Sequence, residues 1–228
     1  MRHAPTVLAT LLPPMVAVVV AGPAEAEQPL FADEQHFVRH ATEARRREFA
    51  AGRACARSAL RRLGRAEVAI PASDQRAPLW PAGVVGSITH CAGFTAAALA
   101  LRRDVARLGI DAEPNGRLDD DIAEQVASRK ERQRASDELG ADAALIIFSA
   151  KESIYKAWYP TTARWLDFDA VTVSVDRSGV FSIEPRADLA GDDRALLSGL
   201  HGRFAVTARH VLTAVYGGAV PSGGGHDD

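Results

Sequence analysis

"FSAKESIYKAWYP", residues 148–160, contains two of the chain's three lysines; the third is Lys130, and every other Lys-or-Arg position is arginine. A chain that so strongly favours arginine yet keeps Lys151 and Lys156 here suggests that a compact ammonium, not a planar fork, is wanted at these positions. At about 100° per residue, Ile147, Phe148, Ile154, Tyr155 and Trp158 form one apolar stripe of a helix that Pro160 should stop. Lys151 falls inside the stripe, and Glu152 and Lys156 sit at its edge as an i,i+4 pair. A surface ion pair, with Lys151 snorkelling past its neighbours, is one reading. A carboxylate and two ammonium groups facing a metal-bound phosphate is the other.

Upstream, "GIDAEP", residues 109–114, reads as a strand. Alternation puts Asp111 and Glu113 on one face, with Ile110 and Ala112 on the other. Two carboxylates side by side repel, and a hard divalent ion such as Mg²⁺ relieves that conflict. A polar outer face of an edge strand accounts for the pattern equally well. Further upstream, "VVGSITHCAGFTAAALAL" reads as two strands turning at Cys91-Ala92-Gly93, with His90 near the turn. "EARRREFAAGRACAR" places Arg45, Phe49 and Arg53 along one side of a helix, so two arginines could hold one polyanion.

The rest of the chain sets limits. With 228 residues, 47% hydrophobic and 25% charged, it has ordinary globular composition, and its net charge of −2 gives no global field for nucleic acid or anionic lipid. Cys55 and Cys91 cannot build a disulfide framework or a zinc site and read as core residues of a reduced, cytoplasmic protein. "TVLATLLPPMVAVVVAGPAEA" resembles a secretion signal, but Pro13-Pro14 breaks its apolar run. We expect a loop there, then a buried strand over 15–21. Residues 33–63 read as two helices, 119–139 as a charged helical region, and 168–217 as about four antiparallel strands. "PASDQRAPLWP" is a Pro-punctuated loop, and 219–228 is too Gly-rich and polar to pack. Strands and helices in both halves predict an α+β architecture.

Taken together, "GSITH", "GIDAEP" and "FSAKESIYKAW", in this order and at these spacings, resemble the Sfp-type 4′-phosphopantetheinyl transferases. The arginine-rich helix and the Trp-Pro loop before "GSITH" extend the resemblance over nearly the whole chain. It implies two α/β lobes related by pseudo-twofold symmetry, an N-terminal lobe over 1–106 and a C-terminal lobe over 107–218, with coenzyme A in the cleft between them. It implies Asp111, Glu113 and Glu152 as ligands of Mg²⁺ (or Mn²⁺). Arg45, Arg53 and His90 become contacts to the phosphates of coenzyme A, and Lys151 and Lys156 lysines near its pyrophosphate. Relatives often carry a basic residue near Ala72, where this chain offers only Arg76 as a substitute.

The implied reaction moves phosphopantetheine from coenzyme A to the serine of an apo acyl or peptidyl carrier protein. Glu152 is the candidate base and Lys156 the stabiliser of the leaving phosphate. The carrier is expected to dock on 117–139, whose "SRKERQR" suits an acidic helix, and the enzyme is expected to be a monomer. A magnesium-dependent pyrophosphate hydrolase and a non-catalytic coenzyme A binding module are the alternatives.

Overall fold

The computed structural model describes residues 4–218, and its first element corrects an expectation: Ala4–Thr10 is a helix, α1, where a loop was expected. Leu8, Leu11 and Leu12 are buried, so the apolar run folds onto the core before Pro13-Pro14 ends it. Strand β1 (Ala17–Val20) follows, the centre of the stretch expected to be extended. Two short helices, α2 (Pro23–Ala26) and α3 (Ala32–Gln35), lead through a 3₁₀ turn at His36–Val38 into the long α4 (Glu43–Arg62). Thr42 caps α4 by accepting from the Arg45 amide, and Gly64, at φ 69°, ends it in the left-handed region.

Strands β2 (Val84–Cys91) and β3 (Phe94–Leu101) make the expected hairpin. Next come β4 (Arg107–Pro114), α5 (Asp120–Val126), α6 (Arg129–Leu139) and α7 (Ala144–Thr162). Pro160 does not stop α7. It withholds one N–H, but the last turn is held by Ala163 N–H donating to Tyr159 O at 2.8 Å and by Thr162 Oγ1 donating to Trp158 O at 3.2 Å. The last third holds β5 (Val171–Val175), β6 (Val180–Pro185), β7 (Leu200–Val206) and β8 (His210–Gly217), plus one helix the sequence reading missed, α8 (Gly191–Ser198). Residues 219–228, read as an unpacked tail, lie outside the described residues.

The strands form two antiparallel sheets, β1-β3-β2 and β4-β8-β7-β6-β5. Helix α4 covers the first through Cys55, Ala56, Ala59 and Leu60 against Val19, Ala97 and Leu99. Helix α7 covers the second through Ile147, Ala150, Ile154 and Trp158 against Val173, Val211 and Val215. A third cluster joins the sheets: Ala96, Ala98 and Ala100 of β3 meet Ile110 and Ala112 of β4 and Leu212 of β8, together with Leu8 of α1 and Leu11 and Leu12 just after it. This explains the continuous small apolar run of β3, which is buried on both faces.

Two details set the site. The facing edges of β2 and β4 are stitched by hydroxyls: Ser87 Oγ accepts from Ile110 N and Thr89 Oγ1 from Ala112 N, each at 3.1 Å. At Gly109, the first residue of the "GIDAEP" motif, the backbone of α7 lies directly on β4. A Cβ there would overlap the Ser153 carbonyl oxygen and sit 2.9 Å from Ala157 N. Only glycine allows this approach.

Candidate active site

Helix α7 sets Lys156 over β4 in the same turn, Ser153 to Ala157, that Gly109 lets lie on the strand backbone. The expected Glu152–Lys156 ion pair is replaced by a longer-range one: Lys156 Nζ donates to Asp111 Oδ1 at 2.6 Å. Asp111 is only 3% exposed. Its other oxygen, Oδ2, accepts from Ser149 Oγ at 2.7 Å, and Thr89 Oγ1 reaches Oδ1 at 3.3 Å. A carboxylate so placed is tolerable only because every side of it is hydrogen-bonded and one partner is a cation.

Glu113 and Glu152 belong to the same electrostatic neighbourhood. Burial pushes the Glu113 carboxyl up to about 7, and the nearby Asp111 and Glu152 push the same way while Lys156 opposes them. Burial likewise raises Glu152, with Lys156 opposing and Asp111 adding. Two carboxyls held above their ordinary range around one ammonium mark a surplus of negative charge, and oxygen donors of this kind fit a hard divalent cation. They do not form a finished cage: no group of three or more His, Cys, Asp or Glu side chains among the described residues is arranged to hold a metal ion.

Opposite α7, the expected arginine face of α4 is in place. Arg53 lays its guanidinium 4.1 Å over the Phe49 ring and donates from Nε to Ile70 O at 2.7 Å. Its Nη2 is buried with no partner among the described residues, and burial lowers its pKa to about 10. An orphaned guanidinium nitrogen beside a cavity is suited to an anion. Arg45 Nη1 lies 2.6 Å from His90 Nε2. A guanidinium can only donate, so Nε2 accepts and the His90 proton is on Nδ1, which lies 3.8 Å from Glu48 Oε2. Burial, then the Arg45 charge, lower the His90 pKa and keep the ring neutral. Arg76 reaches the same cavity from the Pro-punctuated loop, at φ 64°, a left-handed backbone that costs a non-glycine residue about 1–2 kcal/mol.

These groups enclose a pocket of about 420 Å³. Arg45, Arg53, Arg76, His90, Glu152 and Lys156 line it, together with an apolar wall that includes Phe37, Phe49, Pro78, Tyr155 and Tyr159. Asp111 is joined to it through Lys156.

One expected site residue is elsewhere. Lys151, read as a lysine near the pyrophosphate, is 4% exposed and points to the other side of α7. Its ammonium donates to Val126 O at 2.9 Å and Phe168 O at 2.8 Å and pairs with Glu131 at 3.1 Å. Glu131 in turn accepts from Val173 N at 2.7 Å. The helical angle that put Lys151 inside the apolar stripe is the physical reason: it faces the second sheet's core, where α5, α6 and the turn at Phe168 just before β5 supply the partners. Glu131 is therefore not part of a solvated basic patch, although Arg129, Lys130 and Arg134 on the same helix are exposed.

Three residues that carry the geometry were not singled out from the sequence: Ser149, Thr89 and Thr213, the hydroxyls around Asp111. Ser149 and Thr89 lie inside the motifs already quoted, one residue before Ala150-Lys151 and one before His90, but a hydroxyl in a strand or helix carries no periodic signal.

Residues 33–100 match the family model of the 4′-phosphopantetheinyl transferase N-terminal domain, and residues 107–214 match that of the 4′-phosphopantetheinyl transferase superfamily. The chain is 42% identical to the 4′-phosphopantetheinyl transferase Svp of Streptomyces mobaraensis, over 82% of this chain and 78% of that protein. It is 37% identical to the transferase Npt of Nocardia iowensis, over 80% and 86%, and 38% identical to PptT of Mycobacterium tuberculosis, over 80% and 84%.

Proposed function

The chain belongs to the 4′-phosphopantetheinyl transferase superfamily, and from that premise we propose that it transfers the phosphopantetheine arm of coenzyme A to a serine of an apo carrier protein in a magnesium-dependent reaction. The observation that carries the reading is the shared pocket: Glu152 and Lys156 of α7 face the same 420 Å³ as Arg45 and Arg53 of α4. We place the site in a cleft between an N-terminal lobe, residues 1–106, and a C-terminal lobe, 107–218. This is supported by the pocket lining, which draws on both sides of residue 106. The free thiols of Cys55 and Cys91 suit a reducing cytoplasm, and no helix among the described residues is long and apolar enough to cross a membrane.

In this reading Arg53, through its unpartnered Nη2, holds phosphate oxygens of coenzyme A together with Arg45, His90 and Arg76. The apolar wall of Phe37, Tyr155 and Tyr159 receives its less polar parts. Asp111, Glu113 and Glu152 would hold Mg²⁺, which when bound supplies charge neutralisation at the pyrophosphate. The carrier serine Oγ forms a bond to the β-phosphorus. The bond from that phosphorus to the bridging oxygen breaks, and 3′,5′-ADP leaves. The serine proton goes to Glu152, the carboxylate that lines the pocket beside Lys156. Lys156 offsets charge on the departing phosphate. The protein's share is positioning and charge, as in other phosphoryl transfers. The exposed Arg129 and Lys130 of α6 are the proposed contacts to an acidic carrier surface, and reversing both charges should weaken carrier binding while leaving coenzyme A affinity unchanged.

The test is incubation with coenzyme A, Mg²⁺ and a panel of apo carriers, read by intact mass. Transfer adds one phosphopantetheine to the carrier and releases one 3′,5′-ADP. Release of 3′,5′-ADP without any carrier would favour the hydrolase, and tight binding of coenzyme A with neither product would favour a binding module.

A further inference from the structure

The two oxygens of Asp111 have different partners, one of them a lysine that lines the pocket and the other a buried serine. Oδ1 meets Lys156 Nζ at 2.6 Å; Oδ2 meets Ser149 Oγ at 2.7 Å. Ser149 and Thr213 are fully buried. Thr213 Oγ1 lies 3.0 Å from Ser149 Oγ and 2.8 Å from the Ser149 carbonyl oxygen. Each hydroxyl owns one proton, and an ionised carboxylate only accepts. The Ser149 proton therefore points at Asp111, and the Thr213 proton points back at residue 149. The Thr213 proton goes to the carbonyl oxygen of residue 149, which holds that backbone in place, and the Ser149 proton goes to Asp111.

The register makes this more than a local contact. Thr213 on β8 is the direct cross-strand partner of Asp111 on β4, and Ser149 stands above both on α7. With Thr89 of β2, four elements thus meet at one carboxylate, beside an apolar cluster that includes Ile147, Ala150, Ile154, Val211 and Val215. Alanine at 149 and valine at 213 would suit such a cluster better than two buried hydroxyls, which are tolerable only while hydrogen-bonded.

We infer that Ser149, itself oriented by Thr213, is a positioning residue that anchors Oδ2 of Asp111 and so presents Oδ1 to the cation site. The inference rests on the reading of Asp111 as a metal ligand. Hydrogen bonds to the far oxygen of a ligating carboxylate fix its plane, and losing such a partner typically costs 10–100-fold in metal affinity.

The probe is Mn²⁺, titrated into the full chain with and without coenzyme A and followed by the electron paramagnetic resonance of the free ion. Ser149→Ala should raise the Mn²⁺ dissociation constant about 10–100-fold, with the transfer rate restored towards wild type at saturating Mn²⁺. Thr213→Val, which keeps the branched shape, should shift it less in the same direction, and Thr213→Ser should restore it. Unchanged Mn²⁺ affinity in Ser149→Ala overturns the inference. Should that variant not fold, unchanged affinity in Thr213→Val, or weakening that Thr213→Ser does not reverse, does the same. A wild-type chain that takes up no Mn²⁺ in either condition removes the metal-ligand reading itself, and the inference with it. Loss of uptake in Asp111→Asn alone keeps the reading and rejects the positioning role.

Discussion

Replacing Lys151 with methionine separates a structural lysine from a phosphate-binding one. In the fold its ammonium satisfies two carbonyls, Val126 O and Phe168 O, and neutralises Glu131, which is 6% exposed. Methionine fills similar space and removes all three interactions. Glu131 is left with the Val173 N–H as its remaining hydrogen bond, and two carbonyls lose a donor. Breaking a buried pair from one side costs about 3–5 kcal/mol, a large part of the 5–15 kcal/mol that holds a typical domain. For a chain of this length that is a fall in Tm of roughly 6–20 °C. Adding Glu131→Gln should recover part of the loss, because the amide oxygen still accepts from Val173 and no charge is stranded. The assays are thermal unfolding followed by circular dichroism, and coenzyme A binding by calorimetry at a temperature where every variant is folded. Coenzyme A affinity should stay within about twofold, since a side chain on the far side of α7 does not contact the ligand. A Tm shift under about 2 °C together with a large loss of affinity would refute the reasoning and return Lys151 to the pyrophosphate.

Gly109→Ala should destabilise the chain by about 1–3 kcal/mol or more, because the new methyl meets backbone atoms of α7 that cannot rotate away; wild-type urea stability would contradict the close approach. Glu113, raised to about 7 from an ordinary carboxyl value, favours its protonated form in the fold. Its contribution to the metal-free protein is therefore present in acid and lost as pH rises through about 7, whereas Mg²⁺, which needs the ionised form, should restore stability above that pH. Thermal melts at pH 5.5 and 8, with and without Mg²⁺, check both signs. Arg76→Gly should relieve a left-handed backbone and stabilise the chain by about 1 kcal/mol while weakening coenzyme A binding; equal affinity would remove Arg76 from the site.

Much of this was legible in the residues because it is periodic. Alternation in "GIDAEP" put Asp111 and Glu113 on one face, and helical spacing put Arg45, Phe49 and Arg53 on one side of α4, where they line the pocket. Helical spacing also placed Lys151 in the apolar stripe, but it was read as snorkelling outward or facing a phosphate, because neither its burial nor its partner has a local signal. Glu131 sits in a run of basic residues, and nothing local distinguishes a buried carboxylate there from a solvated one. The same blindness explains Lys156, whose nearest acid by sequence is Glu152 but whose nearest in space is Asp111. Helix α1 was missed because a short apolar run before two prolines fits loop, strand or helix. Helix α8 was missed because eight residues beginning "GDDR" carry too few apolar positions to show a period.

The pairing of β4 with β8 has a consequence for how the chain is made. Asp111 lies opposite Thr213, and Leu8, Leu11 and Leu12 wait for Leu212 and Ala214. During synthesis the strand bearing the acids and the helix bearing the ammonium leave the ribosome well before the strand that completes them. Until then Ile147, Ile154 and Trp158 have only part of their cover. A nascent polypeptide stalled short of residue 210 would lack the cross-strand partner of Asp111 and leave part of this apolar surface uncovered, the kind of surface on which incomplete chains aggregate.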